Sequence, residues 1–344
     1  MRQGDNPNKI NTSITSKYVH QVIVPVYIPN EEGYFKDSFA IFKLCIQSLI
    51  NTTHSDTYIT IINNGSCDLV VNYLDNLLRE KKIAELIHTT NIGKINAVLK
   101  GLVGLNAEIV TVSDQDILFQ KNWQEATLEV FTNFPKAGTV GLIPMFRSHR
   151  RYCDNILFDN LFSNKLKFRP VLNPNGMIKF YESIWITANY NKNYLKRILT
   201  LTSQNGKIAI VGAGHLVASY RKSVYNSLEF THTADLLSTE SDKNLLDLPA
   251  LKLDYYRLTT YDNYAFHMGN SFELWMNDGL PKEKTTELNT LSVLNQQVIK
   301  KNNLILKLKY RIKYIFVKRI VFSKFFYKKF LKMKCLEEEY INNF

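Results

Sequence analysis

The sequence lacks the cysteine patterns that indicate a disulfide framework or a zinc site. It has four cysteines, and none of them belongs to a C-x-x-C pair or another metal-ligand spacing: Cys45, Cys67, Cys153 and Cys335. Cys45 lies in an apolar stretch, where we expect a small buried side chain. This use of cysteine is typical of a reducing compartment.

Long apolar segments are also absent. No run of about 18 apolar residues occurs, so the sequence predicts no membrane-spanning helix. Residues 1–18 are polar and contain no apolar stretch, which predicts a flexible tail and not a signal peptide. We therefore expect a cytoplasmic protein.

Acidic residues are missing from one segment near the C-terminus. The formal net charge is +12, but residues 304–334 hold eleven lysines and arginines and no acid. The rest of the chain is close to neutral. The basic character is therefore a local feature of this segment.

Apolar runs of strand length alternate with helical patterns through residues 19–145. The strand-like runs are "HQVIVPVYI", "TYITII", "AELIHTT", "AEIVTV" and "AGTVGLIP". This alternation predicts the α/β class, with a doubly wound, mostly parallel sheet whose ligands bind beyond the carboxyl ends of the strands. Residues 146–285 are less regular and predict a second half that covers this edge, and residues 286–344 predict a helical tail.

An aspartate pair follows one of the predicted strands, in "TVSDQDILF". In extended backbone Asp114 and Asp116 point to the same side, so both carboxylates can face one ligand. Oxygen donors with open remaining positions suit Mg²⁺ or Mn²⁺, which also bind substrate phosphates. A D-x-D pair alone is a weak indication, since a solvated turn has the same composition.

Four segments together resemble family 2 glycosyltransferases of the GT-A fold. They are "VIVPVYIPNEE", "ITIINNGSCD", "NIGKINAVLKGL" and "VTVSDQDILFQKNW", and they occur in that family's order and spacing over about residues 21–145. The resemblance implies a nucleotide-sugar donor, most simply a UDP-sugar, and Mn²⁺ or Mg²⁺ as cofactor. It also implies transfer of a hexose-type sugar to a glycan or lipid-linked acceptor.

The resemblance assigns a nucleotide site and a metal site by position. The nucleotide-binding residues it implies are Pro25, Val26, Tyr27, Asn63, Asn64, Lys94 and Asp114. Asn63 and Asn64 stand where the family usually has an aspartate. Their side-chain oxygens can still accept a hydrogen bond, but they carry no negative charge. A plain Asn-Gly turn is the alternative for them, and a solvated lysine is the alternative for Lys94. The implied metal ligands are Asp114, Asp116 and His267, with a satisfied core histidine as the alternative for His267.

The second half is expected to supply the base and to contact the sugars. The family's acidic pair is matched most nearly by Glu240 and Asp242, and we prefer Asp242 as an inverting base, with Glu240 and Asp235 as competitors. Helix capping is the alternative for this stretch. Gly212, Gly214 and His215 are predicted to lie near the donor sugar and the acceptor. Trp185 is a candidate for stacking on a sugar, although a core aromatic is the simpler interpretation.

The basic tail has the pattern of an amphipathic helix. Its apolar residues fall on one broad face: Leu304, Ile305, Leu308, Ile312, Ile315, Phe316, Ile320, Phe322, Phe326 and Phe330. Most of its basic residues fall opposite, which predicts that residues 304–334 lie on an anionic membrane surface. A helix packed on the body is the alternative. We expect no nucleic acid, because aromatic and basic residues segregate to different faces.

These observations predict a metal-dependent glycosyltransferase on the inner face of a membrane, acting on a lipid-linked or surface-polysaccharide acceptor. Two other functions stay open. A nucleotidyltransferase would need a basic glycine-rich loop after the first strand, and "PVYIPNEEGYF" has no basic residue. A non-catalytic scaffold would bind no nucleotide.

Overall fold

The computed structural model describes residues 18–187, 189–228, 231–282, 304–342 and 344. The predicted flexible tail lies outside the described residues except for Tyr18. The start of the predicted C-terminal segment, residues 286–303, lies outside them as well.

The described chain alternates strands and helices as far as β6. The strands are β1 His20–Val26, β2 Thr57–Asn64, β3 Glu85–Thr89, β4 Ile109–Ser113, β5 Ile117–Phe119, β6 Ala137–Gly141, β7 Leu166–Pro170, β8 Arg197–Thr202, β9 Ile208–Val211, β10 Val217–Arg221, β11 Tyr256–Thr260 and β12 Ala265–His267. The α-helices are α1 Ser38–Thr52, α2 Asp68–Arg79, α3 Lys94–Gly101, α4 Trp123–Asn133, α5 Asp154–Asp159, α6 Pro174–Ser183, α7 Lys222–Asn226, α8 Thr239–Asp242, α9 Leu248–Lys252, α10 Leu274–Asp278, α11 Leu304–Phe316, α12 Lys324–Met333 and α13 Glu338–Ile341. Short 3₁₀ turns span Gly33–Phe35, Ser148–Arg150 and Lys192–Leu195, and π-helical turns span Lys243–Asp247 and Val317–Val321.

A ten-stranded mixed sheet forms the centre, in the order β3-β2-β1-β4-β10-β6-β11-β9-β8-β7. β3, β2, β1 and β4 are parallel to one another, and β10 runs antiparallel between β4 and β6. β11 is parallel to β6, so these two strands share the direction of the first four. The predicted α/β class, with its helix-flanked parallel strands, is confirmed.

The central strands are buried along their whole length because helices cover both faces of the sheet. Every residue of β1 and of β4 is buried. In register, Val26 pairs with Asn63, and Asn63 pairs with His88, so the carboxyl ends of β1, β2 and β3 lie side by side. This edge of the sheet, continued by the end of β4, is the sheet rim.

α12 and the residues after it pack against β7, the edge strand at the other end of the strand order from β3. In the edge strand β7, the backbone N–H of Phe168 donates to the carbonyl of Lys334 at 2.8 Å. Phe330 and Leu331 of α12 are fully buried in the same apolar cluster as Phe168. The alternative of a helix packed on the body therefore holds for this part of the tail, which also covers a strand edge that would otherwise be open.

The prediction of one continuous apolar face over residues 304–334 is wrong. The helical path is interrupted where Ser323 begins a new helix, with its hydroxyl accepting from the N–H of Phe326 at 3.2 Å. Phe316, Phe322, Phe326 and Phe330 contact the body and are partly or fully buried. No helix among the described residues is long and apolar enough to cross a bilayer.

Lys313, predicted on the solvated basic side, instead anchors α11 to the body. Its Nζ lies 2.7 Å from Asp159 Oδ1 and 2.5 Å from Asp254 Oδ1, and Lys136 contacts the same two carboxylates at 2.6 and 3.2 Å. Burial alone would raise the pKa of Asp159, but the hydrogen bonds from Lys136 and Lys313 lower it.

Replacing Lys313 by methionine is expected to lower the free energy of unfolding by about 2 kcal/mol, the usual contribution of a hydrogen bond to a charged group. The matched control is Lys309→Met, because Lys309 is exposed on the same helix. A depressed aspartate pKa contributes stability above the unfolded pKa, and this contribution is lost as the pH falls through the folded pKa. Urea unfolding should therefore show a difference at neutral pH that shrinks in acid. Equal destabilisation by Lys309→Met would contradict this role.

Candidate active site

The aspartate turn is tied to the end of the first strand by the residue between the two aspartates. The Oε1 of Gln115 accepts from the backbone N–H of Tyr27 at 2.8 Å. Tyr27 is half-buried, whereas Pro25 and Val26 before it are buried in β1. Of these three predicted pocket residues, only Tyr27 therefore presents a partly open side chain at the rim. Sequence reasoning missed Gln115, whose only visible mark was its place inside D-x-D.

Asn63 and Asn64 use their side chains to shape the turn after β2. Asn63 Oδ1 accepts from the N–H of Ser66 at 2.9 Å, and its amide contacts His88 Nδ1 at 2.9 Å. Asn64 Oδ1 accepts from the N–H of Ile92 at 3.0 Å, and its amide donates to Asn91. Both residues lie at the rim, where the turn interpretation accounts for their contacts. Their assignment to the nucleotide base stays a prediction.

Gly93 lets a loop from the second half close over the start of α3. Its φ is +86°, and a Cβ there would lie 2.7 Å from the carbonyl oxygen of Leu236. The N–H of Lys94 donates to that same carbonyl at 3.1 Å. The side chain of Asn96 also forms two hydrogen bonds to the backbone of Thr233. The loop that leads to α8 is therefore held against the N-terminus of α3.

Lys94 and Asp114 form an ion pair at the rim. Lys94 Nζ lies 2.5 Å from Asp114 Oδ1, and both side chains are about four-fifths covered. Burial alone would lower the pKa of Lys94, but the charge of Asp114 raises it, and Asp242 and Asp116 add to the effect. Lys94 is therefore a fixed positive charge with three carboxylates around it.

Asp116 lies beside His267, which the fold brings from far along the chain. β12 pairs with β5 so that His267 is opposite Ile117, and the N–H of Met268 donates to the carbonyl of Asp116 at 2.8 Å. His267 Nε2 is 3.2 Å from Asp116 Oδ2. Burial alone would lower the pKa of His267, but the Asp116 carboxylate raises it.

These two side chains fit a divalent cation. Asp116 Oδ1 is buried and has no hydrogen-bond partner among the described residues. The Nδ1 of His267 contacts Ser183 Oγ at 2.7 Å, the kind of outer contact that orients a histidine ligand. No group of three metal-type side chains occurs in the described part of the chain, so the remaining ligands would come from water and substrate oxygens, as Mg²⁺ and Mn²⁺ commonly accept.

Of the three predicted acids, Asp235 lies with its backbone against Gly93 at the rim, and Asp242 is the one whose charge reaches Lys94. It ends α8, its charge acts on Lys94, and its Oδ1 is buried without a hydrogen-bond partner among the described residues. Glu240 is exposed and bonds Lys243 at 2.9 Å, and Asp235 accepts from Ser241 at 2.7 Å. Helix capping also occurs here, through the hydroxyl of Ser238, which accepts from the N–H of Glu240.

A buried charged group next to the rim was missed by sequence reasoning. Arg257 donates to Asp247 at 2.5 Å, and the two side chains are 1% and 6% exposed. Asp247 also lies 3.3 Å from Nδ1 of His215, and the His215 side chain is 35% exposed. Burial alone would raise the pKa of Asp247, but Arg257 and His215 lower it. The available indication was an arginine inside the strand-like run "YYRLTT", where a buried arginine requires a partner.

The predicted sugar contacts Gly212 and Gly214 lie on a loop beside this group, because the N–H of Gly212 donates to the carbonyl of Arg257 at 2.9 Å. His215 precedes Leu216, whose carbonyl accepts from the N–H of Asp114 at 2.7 Å, so the His215 loop borders the aspartate turn. Gly212 has φ +100°, and a Cβ there would meet the carbonyl of Ser148 at 2.5 Å, whereas Gly214 lies against Met145. Trp185 is 79% exposed, two residues after Ser183, so it is not a core aromatic.

Comparison with known families gives one match that covers half of the chain. The sequence model described as "Glycosyl transferase family 2" matches residues 22–201. An "Uncharacterized glycosyltransferase" of Haemophilus influenzae is 31% identical over 105 residues, which are 30% of each chain. This chain therefore spans less than a third of that relative.

Solved structures give weaker likenesses. S. aureus TarS 1–349 is 13% identical, with 72% of this chain and 59% of that chain covered and a TM-score of 0.41. The mannosyltransferase PcManGT of Pyrobaculum calidifontis, in complex with GDP-Man and Mn²⁺, is 14% identical, with 74% and 58% covered and a TM-score of 0.38.

Proposed function

We propose that this chain, which belongs to glycosyl transferase family 2, moves a sugar from a nucleoside-diphosphate donor to an acceptor hydroxyl with inversion. The observation that carries the proposal is the Lys94–Asp114 ion pair at the rim, on which the charges of Asp116 and Asp242 also act. These residues come from α3, from the turn after β4 and from α8. Together they offer a fixed cation and two carboxylates, Asp116 and Asp242, whose Oδ1 atoms have no hydrogen-bond partner among the described residues.

The roles follow from the charges. A divalent cation, Mn²⁺ or Mg²⁺, held by Asp116 and His267 would neutralise the leaving diphosphate. Asp114, also predicted as a metal ligand, is engaged in its ion pair with Lys94, and its metal role stays a prediction. Lys94 supplies a second positive charge on the same side. Asp242 takes the proton of the acceptor hydroxyl while the acceptor oxygen bonds to the anomeric carbon. The bond from that carbon to the diphosphate breaks, and its electron pair leaves with the nucleoside diphosphate.

We assign His215 to the orientation of substrate at this rim. Asp247 holds one ring nitrogen and Arg257 holds Asp247, so the imidazole orientation is set from a buried ion pair. The acceptor we propose is a lipid-linked or surface-polysaccharide glycan. UDP-sugars are the first donors to test.

Calorimetric titration with UDP, GDP, ADP, CDP and TDP in the presence of Mn²⁺ tests the donor site. We expect UDP to bind and its affinity to fall by at least about tenfold when EDTA removes the metal, because the diphosphate shares the cation. UDP-sugars that bind are then assayed for slow hydrolysis. If none of the five nucleotides bound, the proposal would be contradicted and a non-catalytic scaffold would be favoured.

A further inference from the structure

The outer side of α11 is an exposed aliphatic stripe. The inner side of this helix packs on the body through Lys313 and continues into the buried Val317. On the opposite side, Leu304, Leu308, Ile312 and Ile315 are 78, 60, 52 and 40% exposed. Their spacings of four, four and three residues align them along one face of a helix. These four residues are the α11 stripe.

Basic side chains flank the α11 stripe, and acids are absent. Arg311, Lys318 and Arg319 are exposed, and no aspartate or glutamate occurs from residue 304 to residue 334. An aliphatic stripe with basic residues alongside it fits a lipid surface, where anionic headgroups lie above apolar acyl chains. An acidic protein partner would satisfy the charges but would not need a purely aliphatic face.

The stripe belongs to a helix that lies close to the candidate base. α11 packs against α5 and α9, and α9 follows the π-helical turn that begins directly after Asp242. Tyr314 of α11 is near enough to Lys243, the residue after Asp242, for the two side chains to interact electrostatically. A surface bound by α11 is therefore close to the part of the rim where the acceptor hydroxyl must arrive.

We propose that the α11 stripe binds an anionic lipid surface and that the acceptor is membrane-anchored. The four aliphatic side chains insert among the acyl chains, while the flanking arginines and lysines contact lipid phosphates. The stripe extends over 12 residues, about 18 Å at 1.5 Å per residue, so the helix lies in the interface and does not span it. The part that concerns the acceptor rests on the proposed glycosyl transfer, whereas the lipid surface does not.

Co-sedimentation of the full chain with vesicles tests the surface. Vesicles contain phosphatidylcholine alone or phosphatidylcholine mixed with phosphatidylglycerol. We expect binding to the mixed vesicles only, and we expect it to weaken as salt rises, because the basic flank acts through screened charges. Leu308→Glu should lower the bound fraction by at least about tenfold, since it places a charge in the apolar face.

Two controls separate this proposal from the proposed function. Leu172→Glu makes the same change at a leucine that is 53% exposed elsewhere, and it should bind vesicles as the wild type does. Asp242→Asn should also bind vesicles normally, and Leu308→Glu should hydrolyse donor at the wild-type rate. The lipid-binding proposal would be overturned by equal binding to both kinds of vesicle, by binding to neither, or by full binding of Leu308→Glu. None of these results would contradict the proposed glycosyl transfer.

Discussion

Asp242→Asn should slow sugar transfer by about 10²–10⁴-fold, the usual contribution of a positioned general base. Asparagine keeps the shape of the side chain but cannot accept the acceptor proton. Because Asp242 Oδ1 has no hydrogen-bond partner among the described residues, the substitution removes no hydrogen bond at that oxygen. We therefore expect loss of kcat with little change in stability.

The same variant should bind donor as the wild type does. The donor diphosphate is assigned to Lys94 and to the Asp116 side of the rim, and Asp242 acts on the acceptor. Calorimetry with the donor nucleotide should therefore give a dissociation constant within about twofold of the wild-type value, while the initial rate of transfer falls. Loss confined to the transfer step distinguishes a base from a residue that holds the donor.

Glu240→Gln is the matched control. It makes the same carboxylate-to-amide change on the same helix, at a side chain that is exposed and bonded to Lys243. We expect transfer within about twofold of wild type, as for most exposed substitutions. If Glu240→Gln lost as much activity as Asp242→Asn, or if Asp242→Asn kept full activity, the base would have to be assigned elsewhere.

The fold could be predicted from the sequence because the apolar runs are local patterns. Five strand-length runs with helical segments between them predicted the parallel strands and their rim, and both the α/β class and the family resemblance are confirmed. The antiparallel strand β10, inserted between β4 and β6, could not be predicted in this way. Strand order depends on contacts between distant segments, which no local pattern records.

The candidate site was predictable only in part for the same reason. Asp114 and Asp116 follow a strand, so their place at the rim comes from the pattern itself. The approach of Asp242 to Lys94 depends on the loop at Thr233 bonding Asn96, across more than a hundred residues. The Asp247–Arg257 pair was missed for a related reason: the position of Arg257 in a strand-like run indicates a buried partner, but no local pattern identifies Asp247 as that partner. The roles of all these residues stay predictions.

The basic tail shows what a helical periodicity in the sequence cannot predict. A 3.6-residue pattern predicted which residues share a face, but it could not tell which apolar residues meet the body and which meet another surface. Phe330 is fully buried, whereas Leu308 of the same predicted face is 60% exposed. The packing of Lys313 on two carboxylates decides this rotation, and it depends on Asp159 and Asp254 from elsewhere in the chain.

Asp116→Asn should raise the Mn²⁺ concentration needed for half-maximal donor binding by about 100-fold. The asparagine keeps one oxygen but loses the negative charge that compensates a divalent cation, and carboxylate oxygens are the ligands that such cations prefer. Ser183→Ala should cause a smaller shift of about tenfold, because Ser183 only orients the ring of His267. Calorimetric titration of the donor nucleotide at a series of Mn²⁺ concentrations measures both shifts.

Glu125→Gln is the matched control for Asp116→Asn. Glu125 also pairs with a histidine, His54, at 3.1 Å. This pair lies at the amino ends of the parallel strands, where the N–H of His54 donates to Gln124, and it contacts none of the rim residues named above. Its Mn²⁺ dependence should equal that of the wild type. An unchanged Mn²⁺ dependence in Asp116→Asn would mean that Asp116 does not hold the cation. Wild-type turnover that persists in EDTA would mean that Lys94 alone neutralises the leaving diphosphate. In that case Lys94→Met should abolish transfer, whereas with a metal present it should reduce transfer only in part, because the cation would still carry two of the positive charges at the rim.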